Sequence, residues 1–120
     1  MNTDRFKFRV WDAYSNAFRD DFHIQSGGKI TLYNSRKSPD ITHHHERFVI
    51  EQCTGIRDRN GRLIYEGDVV RTVWGSIGIV TWRHDRFLIK SDNGINCTID
   101  LTREIIGNIH ENGGDNGKTA

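Results

Sequence analysis

The sequence predicts an all-β fold: an amino-terminal β meander with a long loop, followed by a small SH3-like barrel. Two observations carry this expectation. No long segment places apolar residues at i, i+3, i+4 and i+7, the spacing an amphipathic helix needs, whereas apolar and polar residues alternate with period two in run after run. Gly, Asn and Asp fall between those runs at short intervals, where turns between paired strands are required.

The first run is residues 5–12, in which Phe6, Phe8 and Val10 fall on one side and Lys7, Arg9 and Trp11 on the other. Residues 29–33 form a second, with Ile30 and Leu32 on one side, and residues 48–53 a third. The second half is more regular. Residues 68–74, 77–83, 86–91, 95–100 and 104–109 each read as a strand. They are separated by Gly75-Ser76, His84-Asp85, Asp92-Asn93-Gly94 and a link around 101–103. Gly and Asn tolerate positive φ, which matches the twist of paired strands. Five short antiparallel strands at this spacing suggest a sheet that closes on itself and removes its exposed edges. Residues 84–100 then form one hairpin. Phe87, Ile89, Ile95, Cys97 and Ile99 supply one face, and Leu88, Lys90, Asn96 and Thr98 the other.

These elements divide the chain into an amino-terminal β region (residues 1–54), a barrel (55–110) and a tail (111–120). The first region contains a polar loop, residues 34–46, which holds the only proline, Pro39, and ends in His43-His44-His45. The tail, ENGGDNGKTA, has no apolar anchor before its last residue and is expected to be frayed. A length of 120 residues suits one domain or two very small ones. The formal net charge of +1 argues against a strongly electropositive nucleic-acid surface, although a local patch is compatible with it. Residues 1–12 lack the apolar run of a signal peptide, and no window approaches the roughly 20 apolar residues of a membrane span. A soluble cytoplasmic protein with no membrane partner is the expectation. Cys53 and Cys97 belong to no C-x-x-C pair and read as buried, reduced thiols.

The most specific run is residues 53–70, C-T-G-I-R-D-R-N-G-R-L-I-Y-E-G-D-V-V. Asp58, Asn60 and Gly61 form one turn, with Gly61 at positive φ. Glu66, Gly67 and Asp68 form a second tight bend, where Asp68 can accept backbone N–H bonds as in an Asx turn. Three blocks together resemble the YopX family of phage and prophage proteins: F-K-F-R-V-W-D (6–12), T-G-I-R-D-R-N-G-R-L-I-Y-E-G-D-V-V (54–70) and I-I-G-N-I-H-E-N (105–112). Residues 13–46 are the least matched part. The resemblance implies an all-β fold with an SH3-like barrel in the second half, and a phage or prophage origin in a bacterial cytoplasm. It implies no reaction, and no catalytic residue carries over from it.

Four constellations offer chemistry. His43, His44 and His45 could ligate a transition metal, but adjacent residues on a strand point to opposite sides, so a solvated loop is the plainer reading. Cys53 or Cys97 could pair with a histidine as a nucleophile, but Cys97 alternates with Ile95 and Ile99 as a core residue would. Asp58, Glu66 and Asp68 could hold a cation or act as acid and base. On that alternative the chain is a small metal- or carboxylate-dependent enzyme, whereas turn formation accounts for the same residues structurally. Finally, basic and aromatic residues interleave at Arg71, Trp74, Trp82, Arg83 and Arg86, as in small barrels that bind nucleic acids or peptides by stacking and phosphate contacts. The expectation is a non-catalytic binding or assembly module without a cofactor. Its partner is an unknown macromolecule, protein or nucleic acid, with association into a homo-oligomer through exposed strand edges as a further route.

Overall fold

The structure, a computed structural model, describes residues 3–27, 29–32, 47–91, 94 and 96–113. Apart from a 3-10 turn at Asp4–Phe6 and one short helix near the carboxy end, its elements are all strands. The chain forms two compact units: Arg9–Glu51 is one, and Met1–Phe8 with Gln52–Ala120 is the other.

In the unit Arg9–Glu51, β1 (Phe8–Asp12) pairs antiparallel with β2 (Ala17–Arg19), placing Trp11 opposite Phe18. β3 (Phe22–Gln25) and β4 (Lys29–Leu32) form a separate hairpin with Ile24 opposite Ile30. β5 (Phe48–Arg57) begins here and runs on into the other unit. The core is Val10, Ile30 and Phe48, with Phe22, Ile24 and Ile50 packed around it. Asp12 shares the buried face of β1 with Val10 and is wholly shielded from solvent. A bare carboxylate there would cost several kcal/mol in lost hydration. Arg47 and Arg19 supply the compensating charge, and Arg19 also grips Asp21 through two bonds.

In the other unit, the last part of β5 pairs with β6 (Leu63–Tyr65), Cys53 lying opposite Tyr65 and Arg57 opposite Leu63. A five-stranded sheet follows: β7 (Asp68–Arg71), β8 (Ile77–Arg83), β9 (Arg86–Ser91), β10 (Asn96–Cys97) and β11 (Glu104–Asn108). β11 returns beside β7, giving the order β10-β9-β8-β7-β11, and the sheet curls as a half-barrel. Its concave face holds Val70, Val80, Ile89 and Ile105, joined by Ile64 and flanked by Ile56, Phe87, Cys97 and Ile99. Gly78 sits between these strands because nothing larger fits. A Cβ there would lie 2.5 Å from Ile89 Cγ2 and 2.8 Å from the Lys90 carbonyl.

The all-β class and the five strands of the second half agree with the sequence reading, but several element boundaries do not. Residues 4–6 form the 3-10 turn rather than the start of a strand, with Phe6 N–H donating to the Thr3 carbonyl and Lys7 N–H to that of Asp4. The strand expected at 68–74 stops at Arg71, because Gly75 at φ +87° closes a turn in which its N–H donates to the Thr72 carbonyl. The strand expected at 95–100 shortens to Asn96–Cys97. β2, β3 and β6 have no counterpart in the alternation pattern. The chain after β11 enters a helical turn, α1 (Ile109–Gly113), whose N–H groups at His110 and Glu111 donate to Asn108 Oδ1 at 2.9 and 3.0 Å. The whole loop 34–46, including Pro39 and His43-His44-His45, and residues 114–120 lie outside the described residues.

Candidate aromatic and arginine cleft

Within the unit containing the curled sheet, a cleft of about 340 Å³ is lined by Arg5, Phe6, Gln52, Thr54, Trp82, Asp85, Arg86 and Phe87. Three segments build it. The 3-10 turn Asp4–Phe6 brings Arg5 and Phe6. It is held against β5 by three contacts: Gln52 Nε2 donates to the Arg5 carbonyl at 2.8 Å, Cys53 N–H donates to the Lys7 carbonyl at 2.9 Å, and Arg57 lies 3.6 Å from the Asp4 carboxylate. Gly55, at φ +84°, permits the approach, since a Cβ there would come within 3.2 Å of Arg5 Cβ.

β5 contributes Gln52 and Thr54 from one face, and both side chains are already engaged. Gln52 holds Arg5, while Thr54 Oγ1 donates to the Ile64 carbonyl at 2.8 Å and accepts from Ile56 N–H at 3.1 Å. The β8–β9 hairpin contributes the rest. Trp82 and Phe87 are cross-strand partners on the same face as the core pair Val80 and Ile89, two residues further along the ladder. Their rings meet edge to face at 4.8 Å between centroids. At this end of the sheet the core face runs out into solvent, and Trp82 is left 49% exposed. The two-residue turn between the strands holds His84 at φ +60° and delivers Asp85 and Arg86 to the rim. Arg86 Nε donates to Asp85 Oδ1 at 3.1 Å, which holds the Asp85 carboxyl below its ordinary range. Both side chains are well exposed, so the pair is weak. The Arg5 guanidinium lies over the Phe6 ring, 5.3 Å from its centroid.

The five residues that the sequence singled out as a surface do not converge. Trp82 and Arg86 line the cleft, and Arg83 stands beside them as the cross-strand partner of Arg86. Arg71 and Trp74 sit at the far end of β8, where Arg71 pairs with Ile77, about 17 Å away along the strand. There Arg71 contacts Glu104 at 3.4 Å, and Trp74 stands 87% exposed in the turn.

The YopX protein family matches residues 7–114. The chain belongs to the YopX family. The match runs through the 3-10 turn's exit, both β-rich units and α1, so it spans every element that shapes the cleft except Arg5 and Phe6 themselves. Among solved structures, the YopX chain is similar to protein EF1440 from Enterococcus faecalis, with 24% identity and a TM-score of 0.52, covering 89% of this chain and 94% of that one. At this identity the likeness bears on the fold alone. No curated protein matches the chain.

The turn carboxylates of this YopX chain are not among the residues lining the cleft and are engaged with backbone, Glu66 Oε1 accepting from the Gln52 N–H at 3.4 Å. Asp58 is buried, and its Oδ1 accepts from Asn60 and Arg62 N–H, both at 2.9 Å, while Oδ2 accepts from Ile105 N–H at 3.0 Å. Burial alone would raise its carboxyl, but these three donors outweigh burial and hold it below the ordinary range. Gly61, at φ +82°, closes the turn with its N–H on the Asp58 carbonyl. Asp68 Oδ2 accepts from Tyr65 N–H at 2.7 Å. Gly67, at φ +89°, donates to the Val80 carbonyl and accepts from Ile109 N–H. Glu66 N–H donates to the Gln52 carbonyl. Cys53 is buried, which pushes its thiol up. Among the described residues, no three His, Cys, Asp or Glu side chains gather as a metal ion requires, and no helix is long and apolar enough to cross a membrane.

Arg5, Phe6, Gln52, Thr54 and Asp85 escaped the sequence reading of the site. Their one usable signal is the Gly55 position, where a glycine inside a strand marks a close backbone approach.

Proposed function

We propose that this YopX protein is a non-catalytic binding module of phage or prophage origin, acting in the bacterial cytoplasm, which takes a macromolecular partner at the Trp82–Arg86 cleft. One observation carries the reading: three aromatic rings and two guanidinium groups face one cleft whose uncharged polar side chains, Gln52 and Thr54, are tied to backbone, while Asp85 is paired with Arg86. A partner suits it if it offers an anionic group beside a flat or apolar face. General acid–base work needs a group that can change its proton near neutral pH. The one carboxylate lining the cleft, Asp85, is exposed, and its bond from Arg86 moves it further below the ordinary carboxylate range, away from neutral pH.

The test is a titration of ¹⁵N-labelled protein, followed by amide shifts, with four probes: a short oligothymidine, a duplex of the same length, a polyglutamate peptide and a proline-rich peptide. At least one probe is expected to shift amides of residues 5–6, 52–54 and 82–87 as a group. If no probe moves that group, the cleft is not a binding site and the reading fails.

A further inference from the structure

Resting on that reading, we propose that the cleft takes single-stranded nucleic acid, with one unstacked base against the Trp82 ring and flanking phosphates against Arg86 and Arg5. The aromatic surface is unusual in its placement. Trp82 lies on the core-facing side of β8 yet is 49% exposed, and Phe6 on the opposing turn is 53% exposed. Phe87 braces the indole through the edge-to-face contact, which limits the side-chain freedom that Trp82 would lose on binding. Base stacking on such a platform is tolerant of sequence, because every base has a π-face.

The cations are positioned and available. Arg5 makes no ion pair among the described residues, and neither does Arg83 beside the cleft. Arg86 is held only by the exposed Asp85, a pair that an incoming phosphate can open at small cost. Gln52 Nε2 and Thr54 Oγ1 are committed to backbone carbonyls, which leaves stacking on Trp82 as the main contact to the base. Binding is therefore expected to be tolerant of sequence. A cleft of about 340 Å³ admits one base but not a duplex, whose bases are stacked on each other and present only edges. An acidic peptide would satisfy the arginines but would leave the faces of Trp82 and Phe6 uncovered. The chain's net charge of +1 means that steering is weak, so stacking rather than counterion release dominates the affinity.

Fluorescence anisotropy of labelled oligothymidine tests this at low and moderate salt. Wild type is expected to bind single strands at least about tenfold more tightly than duplex. Trp82→Ala is expected to weaken binding about tenfold or more, and Trp82→Phe to retain most of it. Arg86→Gln should lower the slope of log K against log salt by about 0.7, the contribution of one phosphate contact on a single strand. Leu101→Ala, exposed outside the cleft lining, should bind as wild type does. Arg5→Glu, on an exposed turn, keeps the test open if Trp82→Ala fails to fold, and it is expected to abolish binding. The proposal is overturned if duplex binds as tightly as the single strand, or if Trp82→Ala and Arg5→Glu both bind normally. Amide shifts in the cleft with polyglutamate but not with oligothymidine would overturn it while leaving the binding-module reading intact. Silence with all four probes removes both.

Discussion

Arg47 meets Asp12 with both prongs of its guanidinium: Nε donates to Oδ1 at 3.0 Å and Nη2 to Oδ2 at 3.1 Å. The same guanidinium lies 4.8 Å from the Tyr14 ring centroid and 4.7 Å from that of Phe48. One buried carboxylate thus fixes the entry to β5 and, through Arg19, the end of the β1–β2 hairpin. Asp12→Asn keeps the shape but leaves two cations facing a neutral amide. It should destabilise this unit by about 3 kcal/mol, read as a lower urea midpoint with an unchanged slope.

The pH dependence follows from the same group and from Asp58. Burial pushes the Asp12 carboxyl up, but the bonds from Arg47, Tyr14 N–H and Arg19 outweigh it and hold the group far below the ordinary range. Asp58 is also depressed. A depressed carboxyl adds stability that is present above its unfolded pKa of about 4 and is lost as pH falls through the folded value. Urea unfolding should therefore show constant stability from neutral pH down to about 5, then a steady decline below about 4. In Asp12→Asn the decline should be shallower. Stability that rises on acidification would contradict this assignment.

Gly78 shows how closely β8 and β9 approach. Gly78→Ala drives a methyl into Ile89 and the Lys90 carbonyl and should cost about 1–3 kcal/mol, measured by thermal or chemical unfolding. Ile89→Leu, which lacks the Cγ2 branch, in the Gly78→Ala background should recover part of that loss if the clash with Ile89 Cγ2 contributes.

Thr72 offers the opposite case. Its side chain is buried, and its Oγ1 has no hydrogen-bond partner among the described residues. An unmade bond of this kind costs about 1–3 kcal/mol of desolvation. Thr72→Val keeps the branched shape and should leave stability unchanged or raise it by about 1 kcal/mol, seen as a higher melting temperature.

The strands of the curled sheet were legible because Ile77–Arg83 and Arg86–Ser91 are long enough for alternation to be counted and are bounded by His84-Asp85 and Gly75-Ser76. Ala17–Arg19 and Leu63–Tyr65 are three residues each, too short for a period to register, and Ala17 has little strand preference. Phe6 kept the alternation of β1 in sequence but lost it in space, because the 3-10 bonds at Thr3 and Asp4 turn the chain before the strand starts. The interleaving of basic and aromatic residues grouped Trp82, Arg83 and Arg86, which share one end of the β8–β9 hairpin, with Arg71 and Trp74, which a strand's length separates from them. The cleft was illegible as a unit because its lining comes from three segments, and nothing local in Arg5 or Gln52 signals that their partners are 47 positions apart.

The membership of residues 1–8 in the unit that resumes at Gln52 has a bearing on biosynthesis. As the nascent chain leaves the ribosome, Arg5 and Phe6 emerge before the hairpin carrying Trp82 and Arg86, which is made some 80 residues later. The intervening residues 9–51 have their own small core and can collapse meanwhile, whereas residues 3–8 must wait for late-made strands. Competence to bind at the cleft is consequently acquired last, so a prematurely terminated product could fold its insert yet never assemble the surface on which a ligand would land.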